Sequence, residues 1–346
     1  MATFKLIISA DHEIFGNGSG DVMHCMVNPT NKLKVIADKF GAKITLFTDV
    51  CEYWVFEKKQ PELAKSIKNQ WIDFIKSNHD VQLHLHPQWL NYSFNNNNYE
   101  LDYNLWRLPS VKSDNNDFGY GVKELIFNGK QTLESVLQKE NKSYKSYAFR
   151  AGGWCIQPEE KVLETLISLD FKIDSTVAPE ASYSNEKSWF NFKNSPQFPF
   201  WKVNKSILQP TNTGLTEVPI VTIKPGIFQN FFLLVDKVLK KHPQKPINCV
   251  GRAGLGKKSK LNKLKDALTP SYKMLNFSDG TTAKEMIYIA SKYMKRFENE
   301  TGEIPMVMIG HPKTFGNHEA FENFLEWAAS NPKIEFSLYS DLKLEN

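Results

Sequence analysis

Residues 81–87 read VQLHLHP, with apolar and polar side chains alternating up to the proline. This alternation is typical of a β-strand, in which residues two apart point to the same side. We therefore expect His84 and His86 to project together from the end of a strand that Pro87 terminates. Two neutral imidazoles on one side form half of a zinc-type metal site, and a pair of ordinary hydrogen-bonded histidines is the alternative.

Two acids follow the first apolar segment of the chain, residues 4–9. Asp11 and Glu13 share a face if the strand geometry persists, whereas His12 between them points away. One acid is suited to ligate a metal, and the other is suited to act as a general base on water. A solvated acidic turn after a strand is the alternative.

Two later apolar segments also end in polar side chains. Arg150 follows a predicted strand and precedes two glycines, and it is suited to pair with a catalytic carboxylate and keep it ionised. His311 follows the predicted strand at residues 306–310 and is suited to protonate a leaving amine. A surface arginine and a packing histidine are the alternatives. Asp174 is a weaker candidate of the same type.

Short apolar segments alternate with segments of helical periodicity along the chain. The predicted strands span residues 4–9, 43–48, 80–85, 146–150, 171–176, 215–223, 273–277, 306–310 and 334–338. The predicted helices span residues 31–40, 62–77, 159–169, 228–240, 282–298 and 319–330. This pattern predicts an α/β fold with a parallel sheet, and the number of units is what a β/α barrel requires. Strand ends meet at one mouth of such a barrel, so we expect the polar groups to form one site.

The chain of 346 residues shows no clean linker and no internal repeat, which predicts a single domain over residues 1–346. Long loops are predicted at about 91–118 and 181–205. A net charge of +5 with interspersed charges does not predict a nucleic-acid partner. No segment approaches the ~20 apolar residues of a membrane span, and the N-terminal segment lacks the apolar run of a signal peptide. We expect a soluble, cytoplasmic protein.

The cysteines are scattered and form no short-spaced pair. This spacing supports neither a zinc finger nor a disulfide framework, so we expect reduced thiols. The four residues are Cys25, Cys51, Cys155 and Cys249.

In chain order these motifs resemble those of the NodB-like polysaccharide deacetylase superfamily, which includes carbohydrate esterase family 4. Residues 10–13 (ADHE) resemble its first motif and residues 79–87 (HDVQLHLHP) its histidine motif. Residues 149–154 (FRAGGW) resemble its arginine motif, and residues 309–312 (IGHP) resemble the last one. The histidines are separated by one residue here and by three in the family. Glu13 stands where aspartate is more usual.

The resemblance implies a distorted (β/α) barrel of seven to eight strands. It also implies metal-dependent removal of an acyl group, such as N-acetyl, from a sugar or glycan. The implied ligands of a divalent cation, expected to be Zn²⁺, are Glu13, His84 and His86. Asp11 would be the base, oriented by Arg150, and His311 would protonate the departing amine. Spacing alone allows Asp11 and Glu13 to exchange roles.

Aromatic side chains in the predicted loops are candidates for stacking on sugar rings. Trp89 and Trp154 are predicted to bind substrate together with Asp174, and ordinary packing is the alternative for most of the aromatics. The expected partner is a carbohydrate or glycan, handled inside the cell during surface polysaccharide synthesis.

Three alternatives stay open. The same scaffold can host hydrolysis of a non-sugar, cyclic amide, or the chain can be a non-catalytic glycan-binding protein. Residues 251–258 (GRAGLGKK) come close to a phosphate-binding loop, but Lys258 stands where that motif requires Ser or Thr for Mg²⁺. A basic surface loop that touches an anion is the simpler interpretation of this segment.

Overall fold

The structure of the protein is a computed structural model that describes residues 2–96, 98–239, 272–278 and 280–344. The phosphate-loop-like segment at 251–258 and Cys249 lie outside the described residues. Cys51 and Cys155 are free and buried. Cys25 is disulfide-bonded, so the expectation of four reduced thiols is wrong at this position.

The strands come from apolar segments, and most of those in the central sheet are buried along their length. They are β1 (Ala2–His12), β2 (Ile44–Asp49), β3 (Asp80–Leu85), β4 (Tyr92–Asn95), β5 (Asn98–Leu101), β6 (Ala148–Ala151), β7 (Ile173–Asp174), β8 (Ser182–Ser184), β9 (Trp189–Asn191), β10 (Trp201–Val203), β11 (Leu215–Glu217), β12 (Thr222–Ile223), β13 (Lys273–Met274), β14 (Gly302–Gly310) and β15 (Ile334–Phe336).

Helices occupy most of the segments between the strands of the central sheet. They are α1 (Asn28–Asp38), α2 (Val50–Lys59), α3 (Pro61–Lys76), α4 (Val122–Leu137), α5 (Glu160–Ser168), α6 (Ile227–Leu239), α7 (Ala283–Arg296) and α8 (His318–Ala329). Among the described helices, none is long and apolar enough to cross a bilayer.

The central sheet runs in the order β10-β11-β7-β6-β3-β2-β1-β14. All neighbours in it are parallel except β10, which pairs antiparallel with β11. Single parallel bridges join Ile220 to Val307 and Asn276 to Ile309, so segments after β11 and β13 reach β14. The sheet therefore curls into the distorted (β/α) barrel that was predicted.

The strand register brings the predicted site residues to one end of this sheet. His84 on β3 is level with Asp49 on β2 and with Arg150 on β6. Ala10, one residue before Asp11, is level with Gly310, one residue before His311. Carboxyl ends of parallel strands form the functional end of such a barrel. The predicted loops at 91–118 and 181–205 carry the hairpins β4–β5 and β8–β9, and the second of them also contains β10, the edge strand of the central sheet.

Candidate metal centre

Glu13, His84 and His86 converge at the carboxyl ends of β1 and β3, as the two-residue spacing predicted. One potential ligand atom from each residue lies within 4.8 Å of the others, and all three side chains are buried. Nε2 of His86 is 2.5 Å from Oε2 of Glu13, and Nε2 of His84 is 3.6 Å from the same oxygen. The three donors therefore face one small volume.

Each of the two histidines has a polar contact at its Nδ1 atom. The Nε2 atom of each ring therefore faces Glu13. Nδ1 of His84 donates to the carbonyl oxygen of Arg150 at 2.8 Å. Nδ1 of His86 lies 3.0 Å from Nε2 of the Gln88 side chain. Within the described part of the chain, the buried Nε2 of His84 has no hydrogen-bond partner, and the buried Nε2 of His86 faces only the Glu13 carboxylate. Orphaned imidazole nitrogens that face a carboxylate fit a divalent cation, and the hydrogen bond behind His84 is typical of a metal ligand.

Lys313 also belongs to this cluster, although the sequence analysis did not single it out. Its Nζ donates to Oε1 of Glu13 at 2.7 Å and to the carbonyl oxygen of Ile14 at 2.8 Å. Burial raises the pKa of Glu13, but the nearby charges of His86 and Lys313 outweigh it and hold the pKa well below its usual value. Lys313 lies in the short 3₁₀ turn Pro312–Thr314 that follows β14, so strand periodicity gave no signal for it.

Asp11 forms a second charged pair beside the cluster, with Arg150. Nη1 of Arg150 donates to Oδ1 of Asp11 at 2.6 Å, and both side chains are almost fully buried. The other guanidinium N–H groups reach Ser9, Ser175 and Tyr339, none of which the sequence analysis named. A buried arginine with all these acceptors is held in one orientation.

This pair keeps Asp11 ionised. Burial raises the pKa of Asp11, but the charges of Arg150, His84 and His311 together lower it below the ordinary value. His311 lies next to it, with Nε2 3.5 Å from Oδ2 of Asp11 and 3.6 Å from Oε1 of Glu13. Burial and the charge of Lys313 lower the pKa of His311 to about 4, so its imidazole is neutral at pH 7. His12 points away, towards Thr48 and Gln70, as predicted.

Two residues that were predicted to contact substrate, Asp174 and Trp89, are buried in the protein. Asp174 is fully buried, and its Oδ1 accepts a hydrogen bond from Thr176. It is paired with Glu217, and burial raises the pKa of both carboxyl groups. Trp89 is 1% exposed and packs between the rings of Phe56 and Tyr99. Direct contact of Asp174 or Trp89 with substrate does not fit this burial, which favours the packing alternative.

A buried carboxylate behind His86 was also missed by sequence reasoning. Oδ1 of Asp49 accepts from the backbone N–H groups of Cys51 and His86, both at 3.1 Å. Burial raises the pKa of Asp49 to about 6, although the charges of His86 and His84 act against that rise. Asp49 therefore ties the start of α2 to the chain that carries the second histidine.

A pocket of about 420 Å³ opens above these groups. Asp11, Glu13, His86, His311 and Lys313 form its polar floor. Its aromatic lining consists of Trp106, Trp154, Tyr183, Phe190 and Tyr272. Trp154 is therefore the predicted substrate residue that does line the pocket. A second pocket of about 490 Å³, at the amino ends of the strands, is lined by other residues. A pocket of the first size holds a small-molecule ligand or one unit of a larger one.

No family model matches the chain, and no curated protein matches it. Among solved structures, a Mycobacterium smegmatis protein assigned as a polysaccharide deacetylase is 12% identical with a TM-score of 0.50. The match covers 98% of this chain and 88% of that one. The 4-α-glucanotransferase of Thermococcus litoralis gives 12% identity and a TM-score of 0.49, with 99% of this chain and 40% of that chain covered. An allantoinase gives 10% identity and a TM-score of 0.46, and the match covers 98% of this chain and 88% of that chain.

At these identities the first of these matches bears on the fold alone. It supports the distorted (β/α) barrel described above. The chain has the fold of the NodB-like polysaccharide deacetylases, at low sequence identity.

Proposed function

We propose that the chain is a metal-dependent hydrolase that removes an N-acetyl or other acyl group from a sugar or glycan. The observation that carries this proposal is the meeting of Glu13, His84 and His86 beside the buried Asp11–Arg150 pair. A divalent cation on those three ligands, with Zn²⁺ the best match to two imidazoles and a carboxylate, would supply Lewis acidity towards the acyl carbonyl and water.

Asp11 is the general base in this proposal. Its Oδ1 is engaged by Arg150, and the residue lines the pocket floor, where a water molecule has access to it. Because its pKa is lowered, Asp11 is ionised at neutral pH and ready to take a proton from water. Arg150 does not contact the pocket and acts by fixing the orientation and charge of Asp11.

His311 is the proton donor to the departing amine. Its neutral imidazole must first gain a proton, and Oδ2 of Asp11 lies 3.5 Å from Nε2. The proton that Asp11 takes from water can therefore pass to His311 and on to the amine nitrogen as the carbon–nitrogen bond breaks. This route leaves Asp11 ionised and His311 neutral at the end of the cycle.

The pocket walls support a carbohydrate as the substrate. Five aromatic side chains surround the polar floor. Flat apolar faces beside polar groups suit a sugar ring, whose faces carry C–H groups and whose edge carries hydroxyls.

The test measures bound metal and acetate release in the same preparations. Purified protein loaded with Zn²⁺ is given N-acetylated sugars in one arm and small cyclic amides in the other. The double variant His84→Ala/His86→Ala should lose stoichiometric metal and acetate release together, while His24→Ala on the surface should keep both.

Metal retained at full stoichiometry in the double variant would refute the ligand assignment. Hydrolysis of cyclic amides without acetate release would replace the sugar substrate by the non-sugar alternative. Metal binding with no hydrolysis of either class would make the chain a binding protein.

A further inference from the structure

Glu13 lies just beyond the part of β1 that the sheet holds in place. The pairing of β1 with β2 ends at His12 and Thr48, and its pairing with β14 ends two residues earlier. The backbone of Glu13 and Ile14 is therefore not fixed by a β-ladder, although the Glu13 carboxylate has to meet two imidazoles to form the candidate metal centre. Other contacts hold this segment.

The side chain of Glu52, on α2, makes one of these contacts. Its two carboxyl oxygens lie 3.1 and 3.3 Å from the backbone nitrogen of Ile14 and accept its N–H. Glu52 is 2% exposed and Ile14 is 1% exposed. Nζ of Lys313 donates to the carbonyl oxygen of Ile14 and to Oε1 of Glu13. The residue that follows Glu13 is therefore held at its N–H, at its carbonyl oxygen and by its burial.

The contact of Glu52 with Ile14 differs from the one that its position in the helix favours. Asp49 is the N-cap of α2 and Glu52 is its third residue, which is the spacing of a capping box. In that motif the acid at the third position turns back to the N-cap N–H of its own helix. Here its carboxylate is directed to a backbone N–H that lies 38 residues away in the sequence. Burial of an acid is unfavourable without such a partner, so the contact indicates a role outside the helix end.

The first turn of α2 contacts the backbone beside two of the three candidate ligands. Asp49 accepts the N–H of His86, and Glu52 accepts the N–H of the residue after Glu13. Oε2 of Glu13 and Nε2 of His86 lie 2.5 Å apart, so a small shift of either segment changes the separation of the ligand atoms. A helix that holds both segments fixes this separation.

We propose that Glu52 is a positioning residue for the candidate metal centre, where it holds Glu13 in the orientation that binds the cation. It acts through the reach of its side chain to Ile14, because a backbone N–H requires an acceptor at the right place and not a charge. Among the described residues, those that line the pocket do not include Glu52, so its effect passes through Glu13. This inference rests on the metal centre of the proposed function and does not require acetate release.

The experiment measures the Zn²⁺ affinity of the full chain by titration calorimetry, without substrate. Glu52→Gln keeps the reach of the side chain and removes its charge, whereas Glu52→Asp keeps the charge and shortens the reach. We expect Glu52→Asp and Glu52→Ala to bind Zn²⁺ about 10-fold more weakly or worse, and Glu52→Gln to stay within about threefold of the unaltered chain. If Glu52→Ala does not fold, the comparison of Glu52→Asp with Glu52→Gln decides.

Glu159 offers a matched control. It precedes α5, and its Oε1 accepts the backbone N–H of Ile207 at 3.0 Å, so it makes the same kind of contact away from the candidate ligands. Glu159→Ala should leave the Zn²⁺ affinity unchanged. Circular dichroism checks that each variant folds, and urea unfolding compares the stability that Glu52→Ala and Glu159→Ala lose.

Several outcomes would overturn the inference. They are unchanged Zn²⁺ affinity in folded Glu52→Asp, an equal loss in Glu159→Ala, and a loss in Glu52→Gln as large as that in Glu52→Asp, because the affinity would then depend on charge. An unaltered chain that binds no Zn²⁺ would refute the metal centre and this inference with it. A chain that binds Zn²⁺ and releases no acetate would refute only the proposed hydrolase, so the two failures are distinguishable.

Discussion

At the scale of single residues, the floor of the pocket assigns a separate partner to each carboxylate oxygen. Oε2 of Glu13 faces the two imidazoles, and Oε1 is taken by Lys313. Oδ1 of Asp11 is taken by Arg150, and Oδ2 faces His311. Each acid therefore keeps one oxygen for chemistry while the other oxygen fixes its orientation.

The first prediction concerns the ion pair between Asp11 and Arg150. Arg150→Met should lower the free energy of unfolding by about 3–5 kcal/mol, because it leaves a buried carboxylate without a countercharge. The double variant Asp11→Asn/Arg150→Met should recover part of that loss. Urea unfolding of the four forms measures the coupling. Additive losses would mean that the ion pair does not stabilise Asp11.

Asp80, at the start of β3, makes a prediction about pH. Burial raises its pKa to about 6, although Tyr147, Gln82 and the N–H of Val81 donate hydrogen bonds to it. The folded state thus holds this proton more tightly than the unfolded chain. Ionisation of Asp80 therefore lowers the free energy of unfolding as the pH rises from about 4 to about 6. Above that range the full loss is about 3 kcal/mol.

Asp80→Asn should remove this loss while keeping a similar shape. The variant should gain stability relative to the unaltered chain at pH 7, and the gain should shrink towards pH 4. Urea unfolding across this pH range checks the trend, with Asp114→Asn on the surface as the control. A gain of the same size at every pH would contradict the role of ionisation.

At the scale of elements, α2 is attached to the candidate metal centre through its first residue. Asp49 precedes the helix and accepts from Cys51 N–H as an N-cap and from His86 N–H as a link to β3. We expect Asp49→Ala to cost about 1–2 kcal/mol of stability and to weaken Zn²⁺ binding about 10-fold or more.

Asn317 offers a matched control for this prediction. It caps α8 by accepting from Ala320 N–H and is not among the candidate ligands. Asn317→Ala should cause a similar loss of stability with unchanged metal affinity. Equal effects of the two variants on metal affinity, measured by titration calorimetry, would contradict a specific link through Asp49.

The elements that could be predicted are those with a clear period. Strand β3 has the predicted bounds, and α3 begins and ends within one residue of its prediction, because Pro61 starts it and a regular apolar stripe follows. Helix α2 was missed because five of its first six residues are apolar or aromatic and leave no stripe. Helix α4 was missed because Gly121 before it offers no side-chain cap and Gly129 interrupts it.

Gly129 has a packing reason that only the fold reveals. A Cβ at this position would lie 2.9 Å from a methyl carbon of Leu83 on β3, so the helix needs a glycine to approach the sheet. Prediction of the site was limited in the same way, by packing contacts that the sequence does not reveal. The spacing of His84, His86, Asp11 and Glu13 was visible in the sequence, whereas the burial of Asp174 and the reach of Tyr339 to Arg150 depend on long-range packing.

At the scale of the whole molecule, metal should act as a stabilising ligand. Among the described residues, Nε2 of His84 lacks a hydrogen-bond partner and Nε2 of His86 faces only the Glu13 carboxylate, so a cation would satisfy both imidazoles. Zn²⁺ at about 1,000 times its Kd should add about 4 kcal/mol, which corresponds to about 5 °C in Tm for a chain of this length. Calorimetry of His84→Ala/His86→Ala should show no such rise, whereas His24→Ala should show all of it.

The pairing of β1 determines when this strand can complete its hydrogen bonds during synthesis. Its second half meets β2 early, but its first half pairs with residues 302–306 on one side and 334–336 on the other. At about 5–20 residues per second, the ribosome needs roughly 15–60 s to deliver those partners. The apolar start of β1 stays without them for that time, so we expect slower translation or higher temperature to lower the yield of folded protein before any change appears in the finished protein.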